Sequence, residues 1–302
     1  MLELIRGKLA LKVSIALALI TTPPMIATAY FITSRETAKM ESLAFESARL
    51  AASAGAKMYG NALEIGVDSG AISVTDLFDP VYEEIKGFAF EQPRYHTKYD
   101  FYTDRVVIAF QDQILASSPD FIFAGGTDIN GYQPTHHSRY MQPLTNDKKD
   151  LAEFRSKRRW IDAIGTAAAK NVEPVLMQSY KRDTGETTWD VASPGFDKGR
   201  SWGTFRVGVS TASLAAHERA LHYELIGVFG SLAIITVGFI FSMLRRSMRP
   251  LEQLAGVAND ISTGEGLDRP IKQATNDEIG QMAKSLNRLR ASLQAAMGRL
   301  GE

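Results

Sequence analysis

Two long runs without a single charge constrain this chain more than any other feature: VSIALALITTPPMIATAYFIT at 13–33 and LIGVFGSLAIITVGFIFSML at 225–244. About 20 apolar residues cross a bilayer as a helix, so both runs are predicted transmembrane helices. Arg6, Lys8 and Lys12 precede the first, and Arg245, Arg246 and Arg249 follow the second. The positive-inside bias then places both chain ends, including residues 1–12, in the cytoplasm and residues 34–222 outside. Ala27-Thr28-Ala29 also resembles a signal-peptide cleavage site, and cleavage there would leave the exterior location unchanged. Pro23-Pro24 removes two backbone donors and predicts a kink in the first span. Gly227, Gly230, Ser231 and Gly238 give the second span small residues for close helix approach.

The exterior segment holds 22 Lys+Arg and 25 Asp+Glu, a mixed surface around enough chain to bury a core of its own. There is no Cys, and 34 basic residues balance 34 acidic ones over the whole chain. Disulfides, thiolate chemistry and Cys-ligated metals are excluded, and no cationic surplus points to nucleic acid. The opening TSRETAKMESLAFESARLAASAGAKMYGNALEIG is Pro-free and predicts a helical stalk continuing from the membrane. A helix is expected near Tyr102 to Ser117, then two strands meeting at Asn130-Gly131, because that pair suits a turn needing positive φ. The charged stretch Asp147 to Lys170 reads as helical. Three strands follow, VLMQSYKR, ETTWDVASP and WGTFRVGVS, with turns at Asp183-Thr184-Gly185 and Asp197-Lys198-Gly199. That order predicts an α+β domain, a PAS-like five-stranded antiparallel sheet with helices on one face. From Thr211 the pattern returns to helix and flows into the second span.

Alternation along the last strand puts Trp202, Thr204 and Arg206 on one face and Phe205, Val207 and Val209 on the other. The second set is the predicted core and the first a predicted pocket, joined by Tyr180 and Trp189 from neighbouring strands. Tyr132 and a single histidine, His136 or His137, are expected as further pocket groups, ordinary surface histidines being the alternative. Lys148, Lys149, Lys157, Arg158 and Arg159 read as a solvated helix face. The alternative is an anionic ligand gripped by Arg158 or Arg159, since guanidinium fits carboxylate. Adjacent His136-His137 on an extended strand would point to opposite faces, and no His-Glu-x-x-His spacing occurs, so no metal or other cofactor is expected.

The runs YHTKYD (95–100), TDINGYQPTHHSRYMQPLT (127–145), SYKRDTGE (179–186) and SWGTFRVG (201–208) resemble the periplasmic sensor of one group of methyl-accepting chemotaxis receptors, a single-Cache-like domain. Where that group usually carries Asn-Arg-Thr-Lys-Arg, this chain has Phe154-Arg155-Ser156-Lys157-Arg158. The resemblance implies a periplasmic sensor for a small-molecule ligand, held in a bacterial inner membrane.

Beyond the second span, Leu251, Leu254, Ala258 and Ile261 are spaced 3, 4, 3, and Ile279, Met282, Leu286, Leu289, Leu293, Ala296 and Leu300 continue the same pattern. Such seams need partner helices, while STGEGLDRPIKQATN between them breaks both helices. The arrangement over 246–300 resembles a HAMP module. The resemblance is carried by Pro250, Gly264, Leu267 and Ile271 and by Asp277-Glu278-Ile279-Gly280 opening the second helix, with Leu254 and Leu286 in the facing seams. One chain supplies two of the four helices of a parallel bundle, so a homodimer is implied. Asp277 and Glu278 also suit a helix start electrostatically, by about 0.3–1 kcal/mol.

Two residues follow Leu300, so the output is expected on another polypeptide, a separate cytoplasmic signalling protein, unless the chain is a truncated receptor. Gly199-Arg200-Ser201-Trp202-Gly203 matches G-x-S-x-G, but that elbow needs a strand before the serine and a helix after it, and here a strand follows. No nucleophile–base constellation is present, so an enzyme is not expected. The leading expectation is a receptor of the chemotaxis or two-component type. A non-signalling accessory or scaffold subunit of a membrane complex is the alternative.

Overall fold

The computed structural model describes residues 9–87, 92–143, 145, 147–182, 185–272 and 276–300. Arg6, Lys8 and the turn positions Asp183-Thr184 lie outside the described residues, as does the side chain of Leu300. The chain divides into two units, Thr33–Leu221 and the flanking Met1–Ile32 with His222–Glu302.

Among the described residues, two helices are long and apolar enough to cross a membrane. Helix α1 (Leu9–Asp68) runs on through Pro23 and Pro24 into the stalk. The last long helix, Thr211–Ser262, carries the second apolar run and contains Pro250. Along the runs Leu19, Ile20, Tyr30, Ile234 and Phe239 are each more than two-thirds exposed. Side chains of that kind are stable in hydrocarbon and costly in water.

In the Thr33–Leu221 unit, Ala48, Ala52, Ala56, Tyr59 and Leu63 recur every three or four residues on α1, and all are buried. They pack on Val191, Phe205, Val207 and Val209. A Cβ at Gly55 would enter the Phe205 ring, so glycine there lets the helix lie close to the sheet. Helix α2 (Val74–Leu77) is capped by Ser73, whose hydroxyl accepts from the Asp76 amide. A small ladder, β1 (Glu83–Glu84) with β2 (Tyr95–His96), follows. The helix expected near Tyr102 to Ser117 is two pieces, α3 (Asp100–Val106) and α4 (Ile108–Ala116).

Among the described residues the main sheet has four strands rather than five: β3 (Phe121–Asp128), β6 (Leu176–Lys181), β7 (Thr187–Asp197) and β8 (Arg200–Ser210), in the antiparallel order β3-β8-β7-β6. The strand after Asn130-Gly131, β4 (Tyr132–Gln133), leaves the sheet and pairs with β5 (Arg158–Arg159). Asp128 causes this departure. Its Oδ1 accepts from the amides of Asn130 (2.9 Å) and Tyr132 (2.8 Å), which turns the chain off the sheet edge before a hairpin ladder can form. The charged stretch 147–170 is likewise no single helix. It holds α5 (Asp150–Glu153), β5 and α6 (Ala163–Ala169), the last begun by Asp162, whose carboxylate accepts from Gly165 N at 2.8 Å. The hairpin at Lys198-Gly199 forms as expected, both residues adopting positive φ between the paired Asp197 and Arg200.

A bulge interrupts β8: Gly195 pairs Gly203 while Phe196 pairs Ser201, so Trp202 has no partner. One inserted residue shifts the alternation, and Trp202 stacks on Tyr59 with ring centroids 4.8 Å apart. Trp202 therefore belongs to the core beside Phe205, not to a pocket. Gly203 allows the bulge, since a Cβ there would strike the Thr127 carbonyl and the Asp128 backbone.

Candidate functional site

The sheet face opposite α1 carries Phe123, Gly125, Tyr180, Asp190 and Arg206, fixed by the cross-strand register. Arg206 is the centre. Its Nε lies 3.2 and 3.1 Å from the two Asp190 oxygens, and Nη2 closes the second arm of the pair. Asp190 is fully buried. Burial disfavours the Arg206 charge, and the adjacent carboxylate more than restores it. Arg182, at the end of β6, pairs with Glu186 and donates to the Tyr140 hydroxyl at 3.3 Å. Both guanidiniums lie near the Phe123 ring, at 6.0 and 5.6 Å, where the face of the π-system favours cations.

The chain from Tyr132 to Trp160 covers this face. Gln133 accepts from Trp160 Nε1 at 3.0 Å. Arg155 lies 4.9 Å from the Trp160 ring centre and Arg158 lies 3.9 Å from it. His136 Nδ1 accepts the His137 amide at 2.9 Å, which leaves Nε2–H as the donor its neutral ring offers. Burial, then His137 and the surrounding arginines, push its pKa well below the ordinary histidine value, so the ring is neutral. Burial raises the Tyr180 phenol.

These residues enclose a cavity lined by His136, Arg155, Trp160, Tyr180, Arg182 and Arg206, with a water-accessible volume of about 20 Å³. That is room for about one water molecule. Arg155, Trp160, Tyr180 and Arg206 also wall a neighbouring open cleft of about 350 Å³, reached by Arg158, Asp162 and Lys181. Cations outnumber carboxylates around both spaces, and aromatic rings supply the apolar walls. The chemistry suits a small organic anion.

The structure brings together His136, Tyr180, Arg206 and Arg158 from the predicted set and separates the rest. Tyr132 is buried elsewhere, its hydroxyl donating to the Tyr95 carbonyl (2.8 Å) and Asp100 (3.1 Å). Trp189 pairs with Val209 and so lies on the helix-covered face. It borders a separate cleft with Met40 and Leu214. The histidines are neither surface groups nor on opposite faces: both are buried, with ring centroids 4.2 Å apart. Lys157 and Arg158 are no solvated helix face either. Lys157 is buried, with Nζ 2.7 Å from Asp104 and 3.3 Å from Asp100.

Sequence reasoning missed Asp190, Arg155, Trp160 and Arg182. A signal existed for Asp190. A lone carboxylate between Trp189 and Val191 in an apolar strand, with Arg206 similarly placed on another strand, is what a buried pair looks like in sequence.

In the flanking unit, the end of the long helix and the helix Glu278–Leu300 enclose a groove lined by Leu254, Ile261, Ile279 and Ala283. Gly264 and Gly266 have positive φ where the first helix stops. Ile271 in the connector is latched by Asn287, which accepts from its amide (2.8 Å) and donates to its carbonyl (2.7 Å). Asp277 caps the second helix, accepting from the amides of Ile279 (3.1 Å) and Gly280 (3.2 Å). Met282, Leu289 and Met297 remain more than half exposed.

Residues 243–295 match the family model of the HAMP domain. No curated protein matches the chain. The HAMP match, together with two apolar helices and a sheet domain between them, indicates a membrane-anchored, receptor-like protein with a role in transmembrane signal transduction.

Proposed function

We propose that the protein is a homodimeric receptor of a bacterial inner membrane, with a Cache-like domain outside the cytoplasm that binds a small organic anion. Binding biases the HAMP helices, which pass the signal to a cytoplasmic signalling partner of the chemotaxis or two-component type. The observation that carries this reading is covalent. Arg206, in the wall of the basic cleft, stands on β8, and β8 ends at Ser210 where the helix leading through the second apolar run to the HAMP segment begins at Thr211. The exposed Met282, Leu289 and Met297 support the homodimer, because an apolar seam left in water gains stability from a second copy. Pro250, Leu267 and Glu278 are signalling residues only on the family resemblance.

The test is a thermal-shift screen of the full chain in detergent against small carboxylates, amino acids and amines. Specific binding raises the unfolding temperature by mass action. A carboxylate should raise it, and Arg158→Met with Lys181→Ala should abolish the rise, read as the ligand-induced shift from each variant's own unliganded midpoint. Stabilisation by amines alone, or a carboxylate effect that survives both substitutions, would refute this assignment of the site.

A further inference from the structure

A second cleft of about 350 Å³ lies in the Thr33–Leu221 unit, where α1, the sheet and the first turns of the last long helix meet. Thr37, Met40 and Glu41 of α1, Trp189 of β7, and Leu214 and Glu218 of the last helix stand in its wall, and no Lys or Arg lines it. Among the described residues neither carboxylate has an ion-pair partner, Trp189 has no ring or cation against it, and the buried Thr37 Oγ1 has no hydrogen-bond partner. Trp160, by contrast, has two guanidiniums at its ring. Uncompensated negative charge, a bare indole face and the apolar Met40 and Leu214 together suit an organic ammonium. The carboxylates take its charge, indole is the best aromatic face for it, and the apolar side chains accept its carbon.

We infer that this cleft binds the ammonium headgroup of a membrane phospholipid, on the side of the bilayer that carries the sheet domain. The inference needs only a membrane-anchored chain and is independent of the anion site proposed above. The first uncharged run ends at Thr33 and the second begins at Leu225. Thr37 and Glu41 follow Thr33 by about 6 and 12 Å along the helix, and Glu218 precedes Leu225 by about 10 Å, at 1.5 Å per residue. The headgroup layer is about 5–8 Å deep, so Thr37 stands within it and the two carboxylates just above it. Helix tilt only lowers them further. An ammonium at the tip of a headgroup reaches that level, and a lipid held in the bilayer by its chains meets the cleft at high effective concentration. Its headgroup would touch α1, β7 and the last helix together, so lipid composition would act on the same strand-to-helix joint as the ligand.

The full chain in a non-ionic detergent would be titrated with dihexanoylphosphatidylethanolamine, dihexanoylphosphatidylcholine or dihexanoylphosphatidylglycerol, and its unfolding midpoint read by selectively excited tryptophan fluorescence. The two ammonium lipids should raise the midpoint saturably, and the glycerol lipid should not. Glu41→Gln with Glu218→Gln keeps the side-chain shapes and should weaken the apparent affinity by about tenfold or more, read as shifts from that variant's own midpoint. Trp189→Leu should weaken it as well. Arg158→Met with Lys181→Ala should leave it unchanged, which separates this cleft from the anion site. No shift with either ammonium lipid, equal shifts with all three lipids, or an ammonium effect that survives the double glutamine substitution would overturn the inference. Ethanolamine or choline, without acyl chains, acting at the same concentration as its lipid would overturn the lipid as the source and give the cleft to a soluble amine.

Discussion

Replacing Arg206 by alanine removes one half of a buried ion pair and leaves Asp190, which is fully enclosed, without its bidentate partner. Breaking such a pair typically costs about 3–5 kcal/mol, because the surviving charge is stranded away from water. In the variant, the stranded carboxylate has one escape, which is to take up a proton. The free energy of doing so is about 1.4 kcal/mol for each pH unit above the unperturbed aspartate value of about 3.9. That sets a ceiling near 4 kcal/mol at pH 7 and near 1.5 kcal/mol at pH 5. For a domain of about 190 residues, 1 kcal/mol shifts the unfolding midpoint by roughly 2–4 °C. Arg206→Ala should therefore lower the midpoint by roughly 8–16 °C at pH 7 and by roughly 3–6 °C at pH 5.

All three tryptophans, Trp160, Trp189 and Trp202, lie in the sheet domain, so tryptophan fluorescence of the full chain in detergent, excited selectively, reports on this unit alone. Asp190→Asn with Arg206→Met should recover most of the loss, since neither residue then carries a buried charge. A midpoint that falls equally at both pH values, or by less than about 3 °C at pH 7 on the scale above, would show that Asp190 is not stranded and that the pair is peripheral. An affinity loss in Arg206→Ala would therefore be ambiguous, as would one in Tyr132→Ala, whose hydroxyl holds Asp100 and the Tyr95 carbonyl.

Two buried groups should give the wild-type stability opposite slopes with pH. Burial lowers His137 to about 4, so its contribution is full above about pH 6.5 and lost as pH falls toward 4, some 3 kcal/mol in all; His137→Phe should remove that acid-side loss in the fluorescence melt. Burial lifts Asp128 to about 6 against four hydrogen bonds to its carboxylate, so its contribution is present below about pH 4 and lost as pH rises through 6. Asp128→Asn should flatten that second slope, and a variant slope equal to wild type would refute the assignment in either case. For topology, cysteine at the exposed Ser117 should react with an impermeant thiol reagent in intact cells, while cysteine at the exposed Ser285 should not. Labelling at Ser285 alone would reverse the proposed orientation.

The parts legible from sequence are those set by local pattern. The apolar runs, the uninterrupted helices on either side of the sheet domain and the Lys198-Gly199 turn follow from composition or from neighbours a few residues apart. The 3-and-4 seams of the HAMP segment do too. What escaped depends on partners far along the chain. Trp202 reads as pocket-facing until the bulge opposite Gly195 is known, and that bulge answers to the Thr127 backbone pressing on Gly203. Gln133 reads as part of a strand paired across Asn130-Gly131, and Arg158 as a helix residue. They become a ladder only because Asp128 pins two amides and frees the chain to cross the sheet. Sequence offers one of His136 and His137 as a pocket group and exposure as the alternative; that both are buried is not legible because Arg155 and Ser156, which help enclose them, lie nearly twenty residues further on.

The joint where β8 gives way to the long helix is fastened more tightly than a mere change of secondary structure requires. Ser210 donates its amide to the Asp120 carbonyl (2.9 Å), and its hydroxyl accepts from the Ser213 amide (3.2 Å). Ser213 Oγ donates to the Asp120 carboxylate (2.5 Å), and Thr211 Oγ1 donates to the Thr187 carbonyl (2.8 Å). Two of these four hydrogen bonds tie the first turn of the helix to the start of β7 and to Asp120, the residue preceding β3; one ties the end of β8 to Asp120, and one caps the helix from Ser210. Each contributes about 0.5–1.5 kcal/mol, comparable to the 1–3 kcal/mol over which coupled sites usually communicate. In the proposed relay, movement of Arg206 along β8 is therefore transmitted to Thr211 at less cost than bending the joint. A flexible linker at this position would dissipate the bias before it reached the helix. In that relay the hydroxyls of Ser210, Thr211 and Ser213, unremarkable in sequence, are the groups that hold the strand and helix together.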